Sequence, residues 1–596
     1  MTSTEATLPA FDRSAMLERL ATETFDVLVV GGGITGAGVA LDAASRGLRT
    51  ALVERNDFAS GTSSKSSKMV HGGLRYLQQH DFRLVYEALH ERQRLLENAP
   101  HLVSPLPFFI PLFGRGGTVD RGVARAYSTA LWLYDLTGGI RIGERHKKIS
   151  KEEALRHFPT MRTEHLVAGF LYLDARADDA RLTLAIARSA AIDFGATVAN
   201  YVEVMRLLRD SHGKVVGASA STSLPWERNG GAEGDTRNRG IHDGGAEEQI
   251  EIRSRVVVNA TGVWADELRA LDEPEHPRSL RPAKGVHVSV PASKLPADFA
   301  AVVPVRSDRR SIFVVPWPDG GDVYIGTTDT DWDGSLDDPD CTAEDVDYLL
   351  GAANAVVTSP LSREDVTGAW AGLRPLLARS SGGGSPNART ADLSRRHTVR
   401  VSESGMVTVT GGKLTTYRRM AEDAVDAAVS VLGPHVPPGA GRSLTRRLAL
   451  RGASDLLLLA DLREPGAGGV YGIDDACFAS LVARHGTETP DLLAIAAGRP
   501  ELLTPLVEGL PHLRVEAIWA ARQEMAVTLD DILSRRTRAL LRRAGAAAST
   551  ATDPSTSALL AGEWKRSAAS IEEEGRAFAV EAAASLARAG LEMSRP

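Results

Sequence analysis

The sequence predicts an α/β protein of three parts: a discontinuous, doubly wound α/β domain, an α+β domain on an antiparallel sheet, and a C-terminal helical domain. A strand, a glycine-rich turn, a helix and a second strand follow one another over Phe25–Glu54 and indicate the first part. Clusters of β-forming residues such as Val286–Val290 indicate the second, and helical periodicity from about Gly441 indicates the third. The chain has 596 residues, 43% of them apolar, and a single core usually stops growing near ~250–300 residues, so several domains are expected.

Each element of the first unit has its own signal. Phe25–Val30 is a nearly continuous run of apolar residues, which is typical of a strand buried in a parallel sheet. Val39–Arg46 has the pattern of a helix that ends at Gly47. Arg49–Glu54 then supplies the second strand. The unit predicts a Rossmann-like domain, in which a dinucleotide lies at the carboxyl ends of the strands.

The turn between the first strand and the helix carries the pattern G-x-G-x-x-G, with glycines at 31, 33 and 36. Such glycines allow a tight turn and a close approach of the backbone to a pyrophosphate, which the helix N–H groups then face. Glu54, at the end of the second strand, can accept hydrogen bonds from ribose hydroxyls and repels a 2′-phosphate. The pattern therefore predicts FAD or NAD rather than NADP.

Two further glycine turns favour FAD. Asn259–Gly262 follows a β-branched strand and has the form of a second turn that passes close to the cofactor. Thr410–Thr416 precedes the helical stretch Tyr417–Leu432, and a helix N-terminus there can stabilise negative charge on a reduced flavin ring.

The nucleotide-binding domain is predicted to be discontinuous. The expected division gives 1–24 to an N-terminal segment, 25–105, 165–271 and 395–440 to the FAD-binding domain, 106–164 to a cap segment, 272–394 to a substrate-binding domain and 441–596 to the helical domain. Segments expected to return to the nucleotide-binding domain are Ala168–Tyr172, the helix Leu182–Phe194, Ala196–Val204 and Arg255–Ala260. Segments expected to form the antiparallel sheet under a substrate are Val286–Val290, Ser311–Pro316 and Val323–Thr328.

Polar and small residues predict the less ordered regions. Ser211–Gln249 and Ser380–Thr390 are rich in Gly, Ser, Asn and charge, which is typical of exposed, disordered insertions. Ala544–Thr556 is rich in Ala, Ser and Thr and predicts a linker before a last helix near Ile571–Ala589. Apolar residues from Val515 to Leu533 fall near one face of a helix.

The stretch Thr62–Leu77, TSSKSSKMVHGGLRYL, resembles the block that follows the nucleotide unit in the FAD-dependent glycerol-3-phosphate dehydrogenases. Similar agreement is found at Lys284–His287, Ile325–Asp329, Gly372–Leu376, Gly411–Tyr417 and, in the C-terminal part, Trp519–Leu541. The resemblance covers most of Phe25–Leu541 and departs at Ser211–Gln249 and beyond Arg543. It implies that sn-glycerol 3-phosphate is oxidised to dihydroxyacetone phosphate, that FAD is reduced, and that a membrane quinone reoxidises it.

A phosphate dianion needs cationic donors, and the planar fork of arginine provides several at once. By position in the matching blocks, the residues predicted to bind the substrate are Arg75, Tyr76, Arg374, Arg395, Lys413 and, as a weaker candidate, Arg310. The resemblance and the motifs together predict cofactor contacts from Gly31, Gly33, Ile34, Thr35, Gly36, Glu54, Arg55, Thr62, Ser63, Ser64, Ser67, Lys68, His71, Gly72, Val204, Ala260, Thr261, Gly262, Gly412, Lys413, Leu414 and Thr415.

Oxidation of an alcohol also needs a base for the hydroxyl proton. His287 is the first choice, because a neutral imidazole accepts a proton near pH 7 and its block lies on the predicted substrate sheet. His71 is the alternative and could instead orient the flavin ring. Lys413 or a nearby arginine such as Arg374 is expected to stabilise the developing alkoxide, and Asp329 is expected to be a turn residue or an indirect support of the site rather than the base.

Composition limits the partners. The net charge of −7 argues against a nucleic-acid partner, and two distant cysteines give no metal or redox spacing, so no metal is expected. No run approaches the roughly 18 apolar residues that span a bilayer, and the N-terminus lacks the apolar stretch of a secretory signal. The cysteine content indicates a reducing, cytoplasmic environment, and the resemblance implies a homodimer associated with the inner face of the cell membrane. Pro105–Phe113 and Arg121–Leu136 are candidates for membrane contact, with core packing equally compatible.

Three other functions stay open at this stage. A glycerol-phosphate oxidase shares the substrate and returns electrons to oxygen as hydrogen peroxide. A flavin-binding protein without turnover would keep the nucleotide motifs, and an FAD-dependent amino-acid oxidase would bind a carboxylate in place of a phosphate.

Overall fold

The structure, a computed structural model, describes 11–73, 82–114, 121–137, 142–164, 166–222, 224, 249–305, 310–378 and 396–593, without the side chains of 121–124. Arg75, Tyr76 and Arg395, three of the predicted substrate contacts, lie outside these residues, as does 380–390 and most of the 211–249 insertion.

The described residues form two large sheets and many helices. In chain order the strands are β1 Thr24–Val30, β2 Thr50–Val53, β3 Met69–Val70, β4 Val103–Phe113, β5 Lys147–Ser150, β6 Leu166–Ala177, β7 Thr197–Ala199, β8 Glu203–Arg209, β9 Val215–Ser221, β10 Gln249–Asn259, β11 Leu280–Pro291, β12 Ala300–Pro304, β13 Ser311–Pro316, β14 Asp322–Gly326, β15 Thr330–Asp331, β16 Gly368–Leu377, β17 His397–Val401 and β18 Val407–Gly411.

The helices, numbered in the same way, are α1 Arg13–Thr22, α2 Ile34–Ser45, α3 Phe82–Asn98, α4 Arg121–Leu136, α5 Lys151–His157, α6 Asp179–Arg188, α7 Ala265–Ala270, α8 Ala343–Asn354, α9 Tyr417–Leu432, α10 Leu456–Asp461, α11 Asp475–His485, α12 Thr489–Ala494, α13 Arg514–Gln523, α14 Ala539–Arg542, α15 Ala544–Thr552, α16 Pro554–Trp564 and α17 Ala568–Arg588. A π-helical turn, Asp531–Arg536, lies before α14.

The first sheet is the predicted doubly wound sheet. Its main order is β17-β18-β10-β1-β2-β7, and the pairings from β18 through β7 are parallel. β1 is buried from Phe25 to Val30, as its continuous apolar pattern predicts for a strand covered on both faces. Helices α2 and α9 cover the sheet and also contact each other, at a point where Gly38 lets the ring of Tyr417 pack closely.

The second sheet is almost wholly antiparallel. Its main order is β15-β11-β14-β13-β12-β4-β6-β3, with β16 beside β11 and β5 beside β6. β11 is the centre of one half and pairs with β14 in register from His287 to Pro291, opposite Gly326 to Asp322. The predicted strands Val286–Val290, Ser311–Pro316 and Val323–Thr328 correspond to β11, β13 and β14, so the α+β part of the predicted fold is confirmed.

One assignment near this sheet was wrong. Ala168–Tyr172 lies in β6, which pairs with β4 in the second sheet and not with the nucleotide-binding sheet. A run of apolar residues indicates a strand but carries no information about its partner, which long-range register decides. The segment Pro105–Phe113 lies in β4, where Phe108, Phe109 and Leu112 are at most 2% exposed. Of the two alternatives that the sequence left open for this segment, the structure shows core packing, so these side chains are not available to a membrane.

The C-terminal part is helical from α10 onward, as predicted. Two details of this part differ from the prediction. Val515 to Leu533 is not one helix, because α13 ends at Gln523 and Met525 has a positive φ of 52°. Ala544–Thr556 is not a linker but forms α15 and the start of α16, and α15 packs on the long helix α17. Alanine-rich composition fits a small-residue helix interface as well as a linker.

One further prediction was wrong in the first sheet. Residues 215–221 of the predicted disordered insertion form the buried strand β9, which pairs with β10.

Buried ion pairs join the C-terminal helices to the nucleotide-binding domain. Asp57, fully buried after β2, accepts hydrogen bonds from Arg535 Nε at 2.6 Å and from Arg536 Nη1 at 2.8 Å. Burial raises the pKa of Asp57, but the charges and hydrogen bonds of Arg536 and Arg535 together outweigh it and hold this pKa below its ordinary value. Similar pairs, Arg181 with Glu524 and Arg188 with Glu488, extend from α6.

Candidate active site

A single cavity of about 900 Å³ runs from the carboxyl ends of β1 and β10 to the face of the second sheet. Its walls come from the turns after β1, β10 and β18, from the segment 60–73, and from β11, β13 and β16. This volume and this position, at the carboxyl ends of a parallel sheet, are those of an extended dinucleotide site with a chamber at one end.

The glycine turn after β1 is shaped by close backbone contacts. Gly31 has φ of 108°, and a Cβ there would lie 2.7 Å from the carbonyl oxygen of Ala260. A Cβ on Gly36 would lie 1.8 Å from the carbonyl oxygen of Gly31. The turn therefore brings the N-terminus of α2 to the cavity, where Ile34 N donates to Ser63 Oγ at 2.9 Å. The N-terminus of α2, where Gly33, Ile34 and Thr35 line the cavity, would face the pyrophosphate of a bound dinucleotide.

Glu54 stands beside this turn. Its Oε2 accepts from Gly32 N at 2.6 Å and its Oε1 from Asn56 N at 2.9 Å. Burial raises the pKa of the Glu54 carboxyl, and the two backbone amides oppose the rise. The carboxyl is fixed in the cavity wall at the position where a ribose would lie. Next to it, the guanidinium of Arg55 lies 4.5 Å from the ring centre of Trp264.

The turn after β18 forms the opposite wall. Gly411 and Gly412 both have positive φ, 75° and 82°, and Lys413 leads into a 3-10 turn that continues as α9. Thr415, in that turn, holds the backbone of His71, since Thr415 Oγ1 accepts a hydrogen bond from His71 N at 3.2 Å. This helix entrance is where the ring end of a flavin would gain stabilisation of negative charge.

Arg374 on β16 occupies the chamber end of the cavity. Its Nη1 donates to Asp329 Oδ1 at 3.1 Å, and its Nη2 donates to Thr327 Oγ1 at 3.0 Å and to the Thr328 carbonyl at 3.1 Å. Gly285 makes room for it, because a Cβ there would lie 2.5 Å from Arg374 Nη2. The Arg374 side chain stays 20% exposed toward the cavity.

Arg310 contributes a second cation to the same chamber. It lines the cavity, and its Nη1 donates to the Asp329 carbonyl at 3.0 Å. Asp329 thus connects both guanidinium groups and acts as the turn residue expected from the sequence.

His287 lies on β11 with its ring stacked on Trp370 at 4.9 Å between centres and 8° between planes. Its Nε2 is 2.8 Å from Ser67 Oγ. Gly326 has no side chain where the ring sits, since a Cβ there would lie 2.0 Å from the imidazole. Burial, followed by the charges of Lys68 and Arg374, pushes the pKa of His287 well below its ordinary 6.5. The ring is therefore neutral and tightly held.

Most of the predicted cofactor residues come together. Those that line the cavity are Gly31, Gly33, Ile34, Thr35, Glu54, Arg55, Thr62, Ser63, Ser67, His71, Val204, Ala260, Thr261, Gly262, Gly412, Lys413, Leu414 and Thr415. The chamber also receives Arg310, Arg374 and His287 from the predicted catalytic and substrate-binding residues.

Four predicted cofactor residues do not line the cavity. Gly36 acts through the turn geometry described above, and Ser64 is buried with its hydroxyl toward the Gly61 carbonyl. Gly72 faces the other way, since its N–H donates to Tyr134 Oη and to Asp174. Lys68 Nζ points to Asp179 Oδ1 at 3.1 Å and to the Ser64 carbonyl. A cation that satisfies a buried carboxylate is not available to a phosphate.

Several cavity residues were not predicted. They are Lys65, Ser66 and Met69 of the segment before His71, Tyr172 and Asp174 of β6, Trp264, and Thr327 with Thr328. The first three lie inside the block Thr62–Leu77, which carried the family resemblance, so this block could have predicted them as cavity residues. Tyr172 and Asp174 had none, because β6 was assigned to the other sheet.

The cavity fits FAD. Gly31 and Gly36 stand where a Cβ would meet the backbone of the turn, the N-terminus of α2 lines the cavity where a pyrophosphate would lie, and Glu54 supplies a ribose acceptor. Gly412 to Thr415 would hold the ring end. The described residues contain no group of acidic, histidine or cysteine side chains able to hold a metal ion.

Replacing Gly36 with alanine is expected to weaken FAD binding by about tenfold to a hundredfold, because overpacking against the Gly31 backbone costs roughly 1–3 kcal/mol at the turn that holds the pyrophosphate. The ratio of flavin absorbance to protein after purification and dialysis measures it. Gly351→Ala is the matched control, since Gly351 also lies inside a helix but has open space around its Cβ position. Equal flavin retention by both variants would contradict the assigned role of the turn.

Comparison with known proteins agrees with this site. Residues 26–418 match the family described as FAD dependent oxidoreductase, and residues 443–570 match the C-terminal domain of alpha-glycerophosphate oxidase. Glycerol-3-phosphate dehydrogenase 2 of Mycobacterium tuberculosis is 43% identical over 535 residues, which is 89% of this chain and 84% of that protein. The mitochondrial glycerol-3-phosphate dehydrogenase of Bos taurus is 38% identical, over 87% of this chain and 68% of that protein.

Among solved structures, the glycerol-3-phosphate dehydrogenase of Bacillus halodurans complexed with FAD superposes with a TM-score of 0.72 at 31% identity, covering 98% of each chain. A glycine-lined dinucleotide cleft that opens onto a chamber with arginines therefore defines an FAD-dependent oxidoreductase. Within this class, the chain belongs to the FAD-dependent glycerol-3-phosphate dehydrogenases.

Proposed function

We propose that this dehydrogenase oxidises sn-glycerol 3-phosphate to dihydroxyacetone phosphate and passes the electrons to a quinone at a membrane surface. The observation that carries the proposal is Arg374, which Asp329 and Thr327 hold at the end of the dinucleotide cavity and whose side chain lines the chamber and is 20% exposed. A doubly charged phosphate is the part of the substrate that such a group binds best.

The phosphate is proposed to lie between Arg374 and Arg310. Asp329 orients both guanidinium groups: its carboxylate accepts from Arg374 and its backbone carbonyl accepts from Arg310. The two cations are therefore held in place before the substrate binds. Arg75, Tyr76 and Arg395 remain predicted contacts of the same phosphate, on the strength of their sequence blocks.

The proton of the substrate C2 hydroxyl is proposed to go to His71. The sequence alone favoured His287, but that ring is 2% exposed, its Nε2 is directed to Ser67, and its pKa lies well below 6.5. Such an imidazole gains a proton with difficulty. His71 is only half-buried, lines the cavity and is tied at its backbone to Thr415, beside the predicted position of the flavin ring.

His287 then has a different part in the proposal. As a neutral ring packed against Trp370 it forms a fixed wall of the chamber and hydrogen-bonds Ser67, which also lines it. Lys413, at the entrance of α9, is proposed to stabilise the alkoxide as the proton leaves. FAD, when bound, supplies the acceptor for the hydride that leaves C2.

Contact with the membrane is proposed through α3 and α4. These helices are neighbours, since Arg92 of α3 lies over the ring of Tyr134 of α4. On α4, Trp132, Leu133 and Leu136 are 46%, 39% and 76% exposed, and α3 exposes Phe82 and Tyr86 by 45% and 54%. Large exposed apolar side chains on an amphipathic helix suit the interface of a bilayer. Among the helices described, none has the length and apolarity to span a membrane. A homodimer on the inner face of the cell membrane remains part of the proposal.

Anaerobic addition of sn-glycerol 3-phosphate is expected to bleach the flavin of the purified holoenzyme, while glycine and D-amino acids leave it oxidised, because the chamber offers a phosphate fork. The absorbance of the flavin measures this. Reoxidation of the reduced enzyme is then followed with a soluble quinone analogue and, separately, with oxygen.

Faster reoxidation by the quinone analogue supports the proposed acceptor, and rapid hydrogen peroxide formation would instead favour a glycerol-phosphate oxidase. An unbleached flavin would refute the proposed substrate and leave a flavin-binding protein without this turnover.

A further inference from the structure

The segment from Lys65 to His71 is the part of the chain that joins the cofactor cleft to the substrate chamber. Lys65, Ser66, Ser67, Met69 and His71 all line the cavity. The segment has little regular structure of its own, since only Met69–Val70 forms a strand, β3, and Lys68 has a positive φ of 55°. Something outside the segment must therefore fix its conformation.

That support is the carboxylate of Asp179, the first residue of α6. Asp179 is fully buried, and its Oδ2 accepts from both Ser66 N at 3.0 Å and Ser66 Oγ at 2.6 Å. Its Oδ1 accepts from Lys68 Nζ at 3.1 Å. One carboxylate thus holds two residues of the segment, on either side of Ser67, whose hydroxyl meets His287.

Removing a carboxylate from water costs several kcal/mol, and a second cation besides Lys68 compensates this cost at Asp179. Arg538 of the C-terminal helical part supplies this cation. Its Nη2 donates to Asp179 Oδ1 and its Nε to Asp178 Oδ1, and the residue is 3% exposed with φ of 61°. Asp179 therefore lies between two cations, Lys68 on the active-site side and Arg538 on the C-terminal side.

We propose that Asp179 and Arg538 are positioning residues of the active site: the C-terminal helical part reaches through this ion pair to hold the 65–71 segment in its working conformation. The inference rests on the proposed function for its kinetic effect. Without the carboxylate, Lys68 and Arg538 would face each other as like charges, and the segment would shift, which would move Ser67 away from His287 and displace His71. Substrate contacts and the proton acceptor would be displaced together.

The chain provides a matched control on the same helix. Arg188, at the other end of α6, forms a buried ion pair with Glu488 of the C-terminal part, with Arg188 Nη1 at 2.6 Å from Glu488 Oε2. This pair joins the same two parts of the protein but touches no residue of the 65–71 segment. Loss of either pair weakens the interface, whereas loss of the Asp179 pair alone disturbs the active site.

The test compares Asp179→Asn, Arg538→Gln, Arg538→Lys and Arg188→Gln as holoenzymes. The rate constant for anaerobic flavin reduction at saturating sn-glycerol 3-phosphate is expected to fall about tenfold to a hundredfold in Asp179→Asn and Arg538→Gln, the size of effect that a displacement of ~1 Å produces. Arg538→Lys is expected to recover part of the rate because it keeps the charge. Arg188→Gln is expected to lower the melting temperature and leave the rate within about threefold of wild type.

The oxidised flavin spectrum is measured on the same samples, since it needs no substrate. A shifted spectrum in Asp179→Asn and Arg538→Gln, absent from Arg188→Gln, supports the inference even if the wild type is not bleached by the substrate, which would refute only the proposed function. Wild-type rates and spectra in both variants, or an equal loss in Arg188→Gln, would overturn it. If Asp179→Asn does not fold, the contrast between Arg538→Gln and Arg538→Lys decides.

Discussion

Replacement of His71 by glutamine is expected to slow anaerobic reduction of the flavin by sn-glycerol 3-phosphate by about 10²–10⁴-fold, the usual contribution of a positioned general base. His71 lines the cavity beside the α9 entrance and is held by Thr415, so its ring can reach a hydroxyl next to the flavin. The rate constant at saturating substrate measures the loss. FAD content is expected to stay near that of wild type, because the cofactor is held mainly by the glycine turns.

The pH profile of the same reaction separates the two histidines. A base works only when deprotonated, so the rate rises with pH through its pKa. For His287, whose pKa lies well below 6.5, that rise would fall entirely at acid pH. The rise is expected to disappear in His71→Gln and to persist in His287→Gln. The reverse result would return the base to His287.

Replacement of Arg374 by lysine is expected to reduce kcat/KM by about 10²–10⁴-fold. Lysine keeps the charge but loses the planar fork, so two charge-assisted hydrogen bonds of roughly 1.5–3 kcal/mol each are lost or misplaced. The ion pair that orients the side chain, between Arg374 Nη1 and Asp329 Oδ1 at 3.1 Å, is also lost. Steady-state kinetics with a quinone analogue measures the change, which is expected mainly in KM because the phosphate is bound in the ground state as well.

Arg281→Lys is the control for this prediction. Arg281 lies on β11 and pairs with Asp331, but it is an exposed pair at the surface, with side chains 36% and 46% exposed. Its replacement is expected to change kcat/KM by less than about twofold, as for other surface ion pairs. An Arg374→Lys variant as active as Arg281→Lys would remove the phosphate from this part of the chamber.

The cofactor half of the site could be predicted from the sequence to a large extent. The turn at Gly31–Gly36, the acid at Glu54 and the glycine pair at Gly411–Gly412 are local patterns, and local backbone geometry carries them directly to the cavity. The two turns can be recognised in the sequence because their backbone conformations require glycine at a defined spacing, and Glu54 follows the first turn at the expected distance.

Roles inside the chamber were less predictable. Lys68 lies within the motif that resembles the family and was expected to bind the cofactor, yet its ammonium is directed to Asp179, more than a hundred residues later in the chain. His287 has the residue type of a base, but burial and nearby cations lower its pKa, and these come from Trp370, Lys68 and Arg374 on other elements. A residue type predicts a chemistry, and only its surroundings assign the protonation state.

The sequence by itself determined the class of cofactor, the doubly wound sheet and the presence of a helical C-terminal part, because these depend on short-range periodicity and on glycine spacing. The tertiary structure alone decided that β6 belongs to the second sheet, that 544–556 is helix, and that Arg538 reaches Asp179. Strand partners and buried ion pairs join residues far apart in the chain, and their free energy depends on burial and geometry that exist only after folding.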